Sequence, residues 1–286
     1  MFGPGRTALL AMLIVAAFAA GTYFLWTKFS HELLSSSEYW VTPDRVHVTP
    51  PPRWVRSDVR AEVFRDASLD GPLSILDPEL AERIGNAFSL HAWVAKVVEV
   101  RKRHPARVEV DVVYRRPVCM VRVADQLLPV DVEGVLLPEG DFSPVEAVRY
   151  PRLEDVRSVP IGPTGSRWGD IRVSGGAQIA AAFGAAWQDL GLDRIVPSET
   201  TALGYAEEPT FELYTRGGTR ILWGRAPGTG LPGEIPVAEK VARLVRYKEE
   251  YGTLEGIGGP QPLDVRSLRS MATPPKTATR PDAGPR

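Results

Sequence analysis

Cysteine is nearly absent from this chain: of its 286 residues only Cys119 carries a thiol, so no internal disulfide can form. Val118 and Met120 flank it. That is the setting of a small core residue in a strand; a catalytic thiol needs a histidine and a positive environment nearby. Histidine is scarce as well. His31, His47, His91 and His104 do not recur at i, i+3 or i+4 with one another or with carboxylates, so no zinc spacing arises and no metal site is expected. There is no G-x-S-x-G, and no serine stands beside an obvious base. The adjacent pairs Glu207-Glu208 and Glu249-Glu250 point to different faces and read as solvated surface. A net charge of -1 gives no global pull toward nucleic acid, and nucleic acid is not an expected partner. These absences point away from an enzyme: no catalytic residue and no cofactor is expected. A carboxylate pair brought together from distant segments, as in a glycan hydrolase, stays open.

What is present begins at the N-terminus. No charged residue occurs from Thr7 to Trp26, a helical length close to the ~30 Å hydrocarbon core of a bilayer. Arg6 precedes the run, Tyr23 and Trp26 suit an aromatic belt, and Lys28 follows. Residues 1–6 are expected to be cytoplasmic and 7–27 a single transmembrane anchor, with 28–45 a spacer. The rival is a signal peptide cleaved after Ala17-Phe18-Ala19; the apolar run continues well past such a site. Either way the rest of the chain is expected outside the cytoplasm.

Beyond the spacer the periodicity predicts a β-α-α-β-β module over 46–117. A strand from Val46 to Val55 comes first, then a short helix with Ser57 as cap and Val59 and Val63 on one face. A second helix has Asp77 as N-cap and Pro78 at its first position, with Leu80, Ile84, Ala87 and Phe88 as its stripe. Val-rich Trp93–Arg101 and the alternating Val108, Val110, Val112 and Tyr114 read as a hairpin turning at Arg103–Arg107. Residues 118–268 read as a mixed, strand-rich domain with two helices. Strands are expected at Leu127–Val132 and Val135–Leu137, then a Pro- and Gly-rich loop from Ser143 to Asp170 and a helix from Ser174 to Leu190. Phe211 with Leu213 and Ile221–Trp223 form a further hairpin, followed by an amphipathic helix through Val237, Val241, Leu244 and Val245. A last strand at Leu263–Val265 closes the fold. Residues 269–286 hold little to bury and are expected to be disordered. The fold class is α+β.

Two local patterns invite a chemical reading. Gly228-Thr229-Gly230-Leu231-Pro232-Gly233 matches G-x-G-x-x-G, but Pro232 and Pro236 interrupt the region where a dinucleotide site needs free amides, so it reads as a connector. Arg101, Arg103 and Arg107 form a basic cluster at the hairpin. It reads as a solvated turn or as a contact for an acidic partner.

The stretch His91–Val123 (HAWVAKVVEVRKRHPARVEVDVVYRRPVCMVRV) resembles the end of the POTRA domain of FtsQ/DivIB cell-division proteins, with Trp93-Val94, Pro105 and Arg116-Pro117-Val118 at the family's spacings. Leu128-Pro129-Val130-Asp131-Val132-Glu133-Gly134 is similar to the family's "VD..G" hairpin. Phe211–Gly224 followed by Ala238–Leu244, and Leu263-Asp264-Val265-Arg266, are similar to its closing elements. The resemblance runs from Thr7 to about Leu268. It implies a single-pass inner-membrane protein with a POTRA-like domain and a β domain on the periplasmic side, acting at the septum without catalysis. Its implied role is to bind and position FtsB/DivIC-like and FtsL-like proteins. Partner binding is expected at the last strand, Leu263, Asp264, Val265, Arg266, Ser267 and Leu268, by strand addition to a free edge. Val265→Pro is expected to abolish capture while the domain stays folded. The hairpin arginines offer a second contact. The alternatives are an anchored extracytoplasmic enzyme and a POTRA-bearing secretion or assembly component.

Overall fold

The structure is a computed structural model. It describes residues 4–34, 38–69, 71, 73–198, 209–228, 235–255 and 259–266, with the side chains of the first helix from 12 to 28. Helix α1 (Pro4–Leu34) covers the apolar run. The expected anchor over 7–27 is nevertheless not supported: among the described residues no helix is long and apolar enough to cross a membrane. Gly21, Thr22, Thr27 and Lys28 dilute this stretch, and the Thr22 hydroxyl donates to its own helix at Phe18 O (2.9 Å). The single-pass inner-membrane placement, and the septal position that came with it, fall with the anchor.

The chain forms two compact units, residues 1–50 with 58–113 and residues 51–57 with 114–286. Both mix helix and strand, so the α+β class holds. In the first unit β1 (Trp40–Val41), β2 (Val46–Val48), α2 (Val59–Asp66), β3 (Leu73–Ser74), α3 (Leu80–Ser89), β4 (Val94–Arg103) and β5 (Arg107–Tyr114) follow one another. β2, β5 and β4 lie in that order in one sheet, and β1 pairs separately with β3. β2 runs parallel to β5, matching Val46 to Val108 and Val48 to Val110. The alternation read at Val108, Val110 and Val112 buries all three, as Leu80, Ile84 and Phe88 of α3 and Val63 and Phe64 of α2 are buried. The caps differ from expectation. Asp58, not Ser57, caps α2, accepting from Ala61 N at 3.1 Å. Asp77 accepts from Glu79 N at 2.9 Å and so caps the turn ahead of α3.

In the second unit come β6 (Cys119–Val123), β7 (Gln126–Val130), α4 (Pro144–Ala147), β8 (Arg152–Leu153), α5 (Ile171–Phe183), α6 (Ala186–Asp189), β9 (Leu192–Ser198), β10 (Thr210–Thr215), β11 (Arg220–Arg225), α7 (Val237–Tyr251) and β12 (Leu263–Asp264). Their seven strands make one sheet in the order β12-β11-β10-β9-β8-β6-β7. The registers align Val121, Leu153, Ile195, Leu213, Ile221 and Leu263 as one row across six strands. Every member is buried, and α5 and α7 cover the row with Val173, Ile179, Phe183 and Leu244. Cys119 joins this core, as its neighbours suggested; burial first, and the Asp131 charge second, push its thiol far above the usual range.

Two readings of this unit change. The unit is more than a set of antiparallel hairpins such as β10 with β11: β6 to β8, β8 to β9 and β11 to β12 run parallel. β8 lies in the supposed loop, too short at two residues to show a period. The helix expected over 174–190 is two. Gly184, at φ 51°, sits in the left-handed region that glycine tolerates and breaks it. The break lets Trp187 of α6 pack edge-on against Phe183, ring centres 5.6 Å apart.

α5 approaches the sheet through Gly176. A Cβ there would stand 2.6 Å from Leu153 Cδ1, and Leu153 is wholly buried, so neither side can yield cheaply. Gly176→Ala is expected to destabilise the protein by ~1–3 kcal/mol through overpacking, measured by urea unfolding; an unchanged midpoint would mean the helix stands farther off the sheet.

Candidate functional site

β12 is the outermost strand of the large sheet, with β11 its one neighbour among the described residues. Leu263 pairs with Ile221 and Asp264 with Leu222 in parallel register. Val265 N–H donates to Leu222 O at 3.3 Å. Because backbone groups alternate sides along a strand, Asp264 turns its own N–H and C=O outward, away from the sheet. Leu263 and Val265 bury their side chains in the core. That geometry corrects the expectation for Val265→Pro. The lost N–H is the one that holds β12 to β11, so proline there detaches the strand instead of blunting its outer edge.

The strand is clasped at its exposed end. Arg266 Nε donates to Asp264 Oδ1 (3.0 Å) and Nη2 to Oδ2 (2.7 Å), while Arg266 N–H also donates to Oδ1 (2.9 Å). Beneath it α7 buries Lys240, whose Nζ donates to Trp223 O at 2.8 Å and sits 4.9 Å from the indole centre. Such a cation is tolerable in a core because a carbonyl and a π face replace water. The hydrogen bonds from Arg266 hold the Asp264 carboxyl below its ordinary range, against the opposing effect of burial, and Lys240 assists. Arg220 holds Glu212 down in the same way, with Arg266 contributing. The edge is therefore backed by a charged row on the polar face of the sheet. It continues through Arg194, which stands 4.6 Å over the Tyr214 ring. Ser267 and Leu268, also expected at the site, lie outside the described residues, as do the tail 269–286 and Thr229–Gly233 of the glycine motif.

The hairpin arginines sit in the first unit and are interleaved with carboxylates. Arg101 pairs with Asp111 (2.6 Å), Glu99 (3.0 Å) and Glu109 (3.6 Å), and Arg103 and Arg107 each reach Glu109 at 3.4 Å. The cluster is a compensated network and not a bare cationic patch. The histidines are dispersed: His91 Nε2 lies 2.9 Å from Glu62, His104 is 3.8 Å from Glu38, and His47 is exposed. Among the described residues no three metal-binding side chains converge.

The turn that the sequence marked at Asp131–Gly134 is a structural one. Asp131 is buried and accepts from Glu133 N and Val135 N (both 2.9 Å) and from Arg115 (2.7 Å). Gly134, at φ 73°, lets the chain reverse there. Comparison with known proteins finds no family model and no curated protein that matches this chain.

Asp264 yields a prediction. Its depressed value means that the clasp stabilises the fold above the unfolded value, near 3.8, and that this stabilisation is lost as pH falls through the lower folded value. The pair is 39 % and 51 % exposed, so water screens it. Asp264→Asn is expected to cost ~0–1 kcal/mol at neutral pH, with the gap to wild type closing in acid. Urea unfolding across pH measures this; a gap that widens in acid would contradict the assignment.

Proposed function

We propose that this chain is a non-enzymatic cell-division protein of the FtsQ/DivIB type, working by binding and positioning partner proteins at the outer edge of β12. The observation that carries the reading is the outermost position of β12, with the Asp264 backbone groups turned outward. An open edge of this kind is a template for an added strand, since main-chain hydrogen bonds supply fixity and alternate side chains supply selection. The motifs quoted above support the family. So does the first unit, whose β2-α2-α3-β4-β5 order and sheet order β2-β5-β4 suit a POTRA-like module.

A binding role is further supported by how the carboxylates on the polar face of the large sheet are used. Glu154 lies 3.1 Å from Arg122 and 3.6 Å from Arg194, Asp193 lies 3.2 Å from Arg194, and Glu212 bonds Arg220 and Tyr214. The hydrogen bond from Arg220 holds the Glu212 carboxyl below its ordinary range, which makes it a poor proton donor. The partners proposed are FtsB/DivIC-like and FtsL-like proteins, which would lay a strand along β12.

Asp264→Pro tests this, since it removes the outward N–H and leaves the bond from Val265 to Leu222 in place. Asp264→Ala, which loses the clasp but keeps the N–H, is the control. Calorimetric titration with an FtsB/DivIC-like protein should show a loss of roughly tenfold or more for Asp264→Pro and near wild-type binding for Asp264→Ala. Unchanged binding by a folded Asp264→Pro protein removes the edge as the capture site.

A further inference from the structure

A second surface of the second unit, distinct from the β12 edge, carries an inference of its own. Two adjoining hollows of about 320 Å³ and about 280 Å³ share Arg149 and Tyr150 as a common wall. The first is formed where residues 51–57 join this unit: Trp54 Nε1 donates to Arg115 O at 3.0 Å, and Ser57 Oγ to Asp141 Oδ2 at 3.4 Å. Trp54, Phe142 and Tyr150 line it, the last two meeting edge to face with ring centres 5.8 Å apart. Pro117, Pro151 and Trp187 line the second. These last three are buried and form its floor, whereas Trp54, Phe142 and Tyr150 are half-buried and offer flat faces that can grip an extended segment at little cost in side-chain entropy.

The charge around this track is only partly compensated, with Arg56 paired to Glu146 and Arg149 near it. The carboxylates of the first hollow are already committed. Asp141 is buried against Ser57, and Glu146 is held by Ser143 and by Arg56. Arg53, Arg116 and Arg149 are exposed, and no carboxylate lies within ion-pair distance of any of them among the described residues. The arginines on the sheet face and at Arg115, Arg167 and Arg172 are all paired. Unpaired arginines therefore gather beside the aromatic track.

We infer that this track is a docking groove for an acidic, extended segment of a partner protein, with an aromatic or proline side chain between its carboxylates. Arg53, Arg116 and Arg149 would take the carboxylates; Trp54, Phe142 and Tyr150, all half-buried, would take the rings. Charge argues against occupancy by this chain's own tail, where Arg269, Lys276, Arg280 and Arg286 outnumber Asp282. The acidic stretch between β9 and β10, with Glu199, Glu207 and Glu208, leaves at Ser198 and returns at Thr210, the strand ends remote from Trp187. About ten residues span at most ~35 Å, less than the length of β9 out and back at ~3.3 Å per residue.

The test uses the full chain and, as probe, a displayed library of random peptides. Sequences rich in Glu and Asp around Trp, Tyr or Pro should be enriched. The selected peptide should bind the combined variant Arg53→Glu, Arg116→Glu, Arg149→Glu at least roughly tenfold more weakly than wild type. The charge reversal Lys96→Glu, in the first unit, should leave binding unchanged. Should the combined variant melt early, the same answer comes from wild type. Added salt, and a peptide with Gln in place of Glu, should each weaken binding. Enrichment of neutral or basic peptides, or equal binding by the folded variant, would overturn the proposal. So would self-association of wild type that the variant loses, because that assigns the groove to a second copy. Asp264→Pro should bind the peptide as wild type does, which separates this groove from the edge reading.

Discussion

One row of apolar side chains, Val121, Leu153, Ile195, Leu213, Ile221 and Leu263, holds the second unit together, and nearly every other feature of that unit follows from it. A strand turns successive side chains to opposite faces, so burying one row commits its neighbours to water and pins the register of six strands at once. The residues one step along, Arg152, Arg194, Tyr214 and Arg220, then face solvent side by side. Like charges adjacent across strands repel. Glu154, Asp193 and Glu212 are interleaved among them and turn a repulsive column into a ladder. The same row sets how near α5 can come, which is why glycine stands at 176 over Leu153.

The row also ends somewhere, at β12. β12 contributes only Leu263 to the row, with Val265 beside it, yet both are as buried as residues at the centre of the sheet. Two apolar anchors and a short ladder hold a strand whose far side has no neighbour among the described residues. The Asp264–Arg266 clasp occupies one outward amide and puts charge on the rim, the usual way a protein blunts an edge against unwanted pairing. The strand is thus anchored within by apolar side chains and guarded without by charge. Lys240 adds a buried positive charge below it, held by the Trp223 carbonyl and ring, which favours the ionised form of Asp264.

The groove beside Tyr150 obeys a different logic. Its aromatic walls come from separate parts of the sequence, the 51–57 segment, the α4 region and α6, and none of these shows a motif. That Arg53, Arg116 and Arg149 stand clear of ion-pair distance to any carboxylate among the described residues shows only in three dimensions, where Arg56 takes Glu146 and Arg115 takes Asp131. The converse holds at the hairpin. Arg101, Arg103 and Arg107 stand out in the sequence, and folding neutralises them through Glu99, Glu109 and Asp111.

The sequence by itself determined the elements whose apolar pattern repeats. These are the Val108–Val112 alternation, the α3 stripe, the hairpin of β10 and β11, α7 with its terminal Gly252, and a closing strand at Leu263. Period and turn chemistry are local properties of a chain, and local physics suffices to read them. Only the tertiary structure decided which strands lie side by side and in which direction. It added two-residue β8 between β6 and β9, split the expected 174–190 helix at Gly184, and assigned residues 51–57 to the second unit. It also turned the Val265 amide inward and the Asp264 amide outward. No period in the sequence encodes these choices, because each depends on a partner far along the chain, and burial is settled only when that partner arrives.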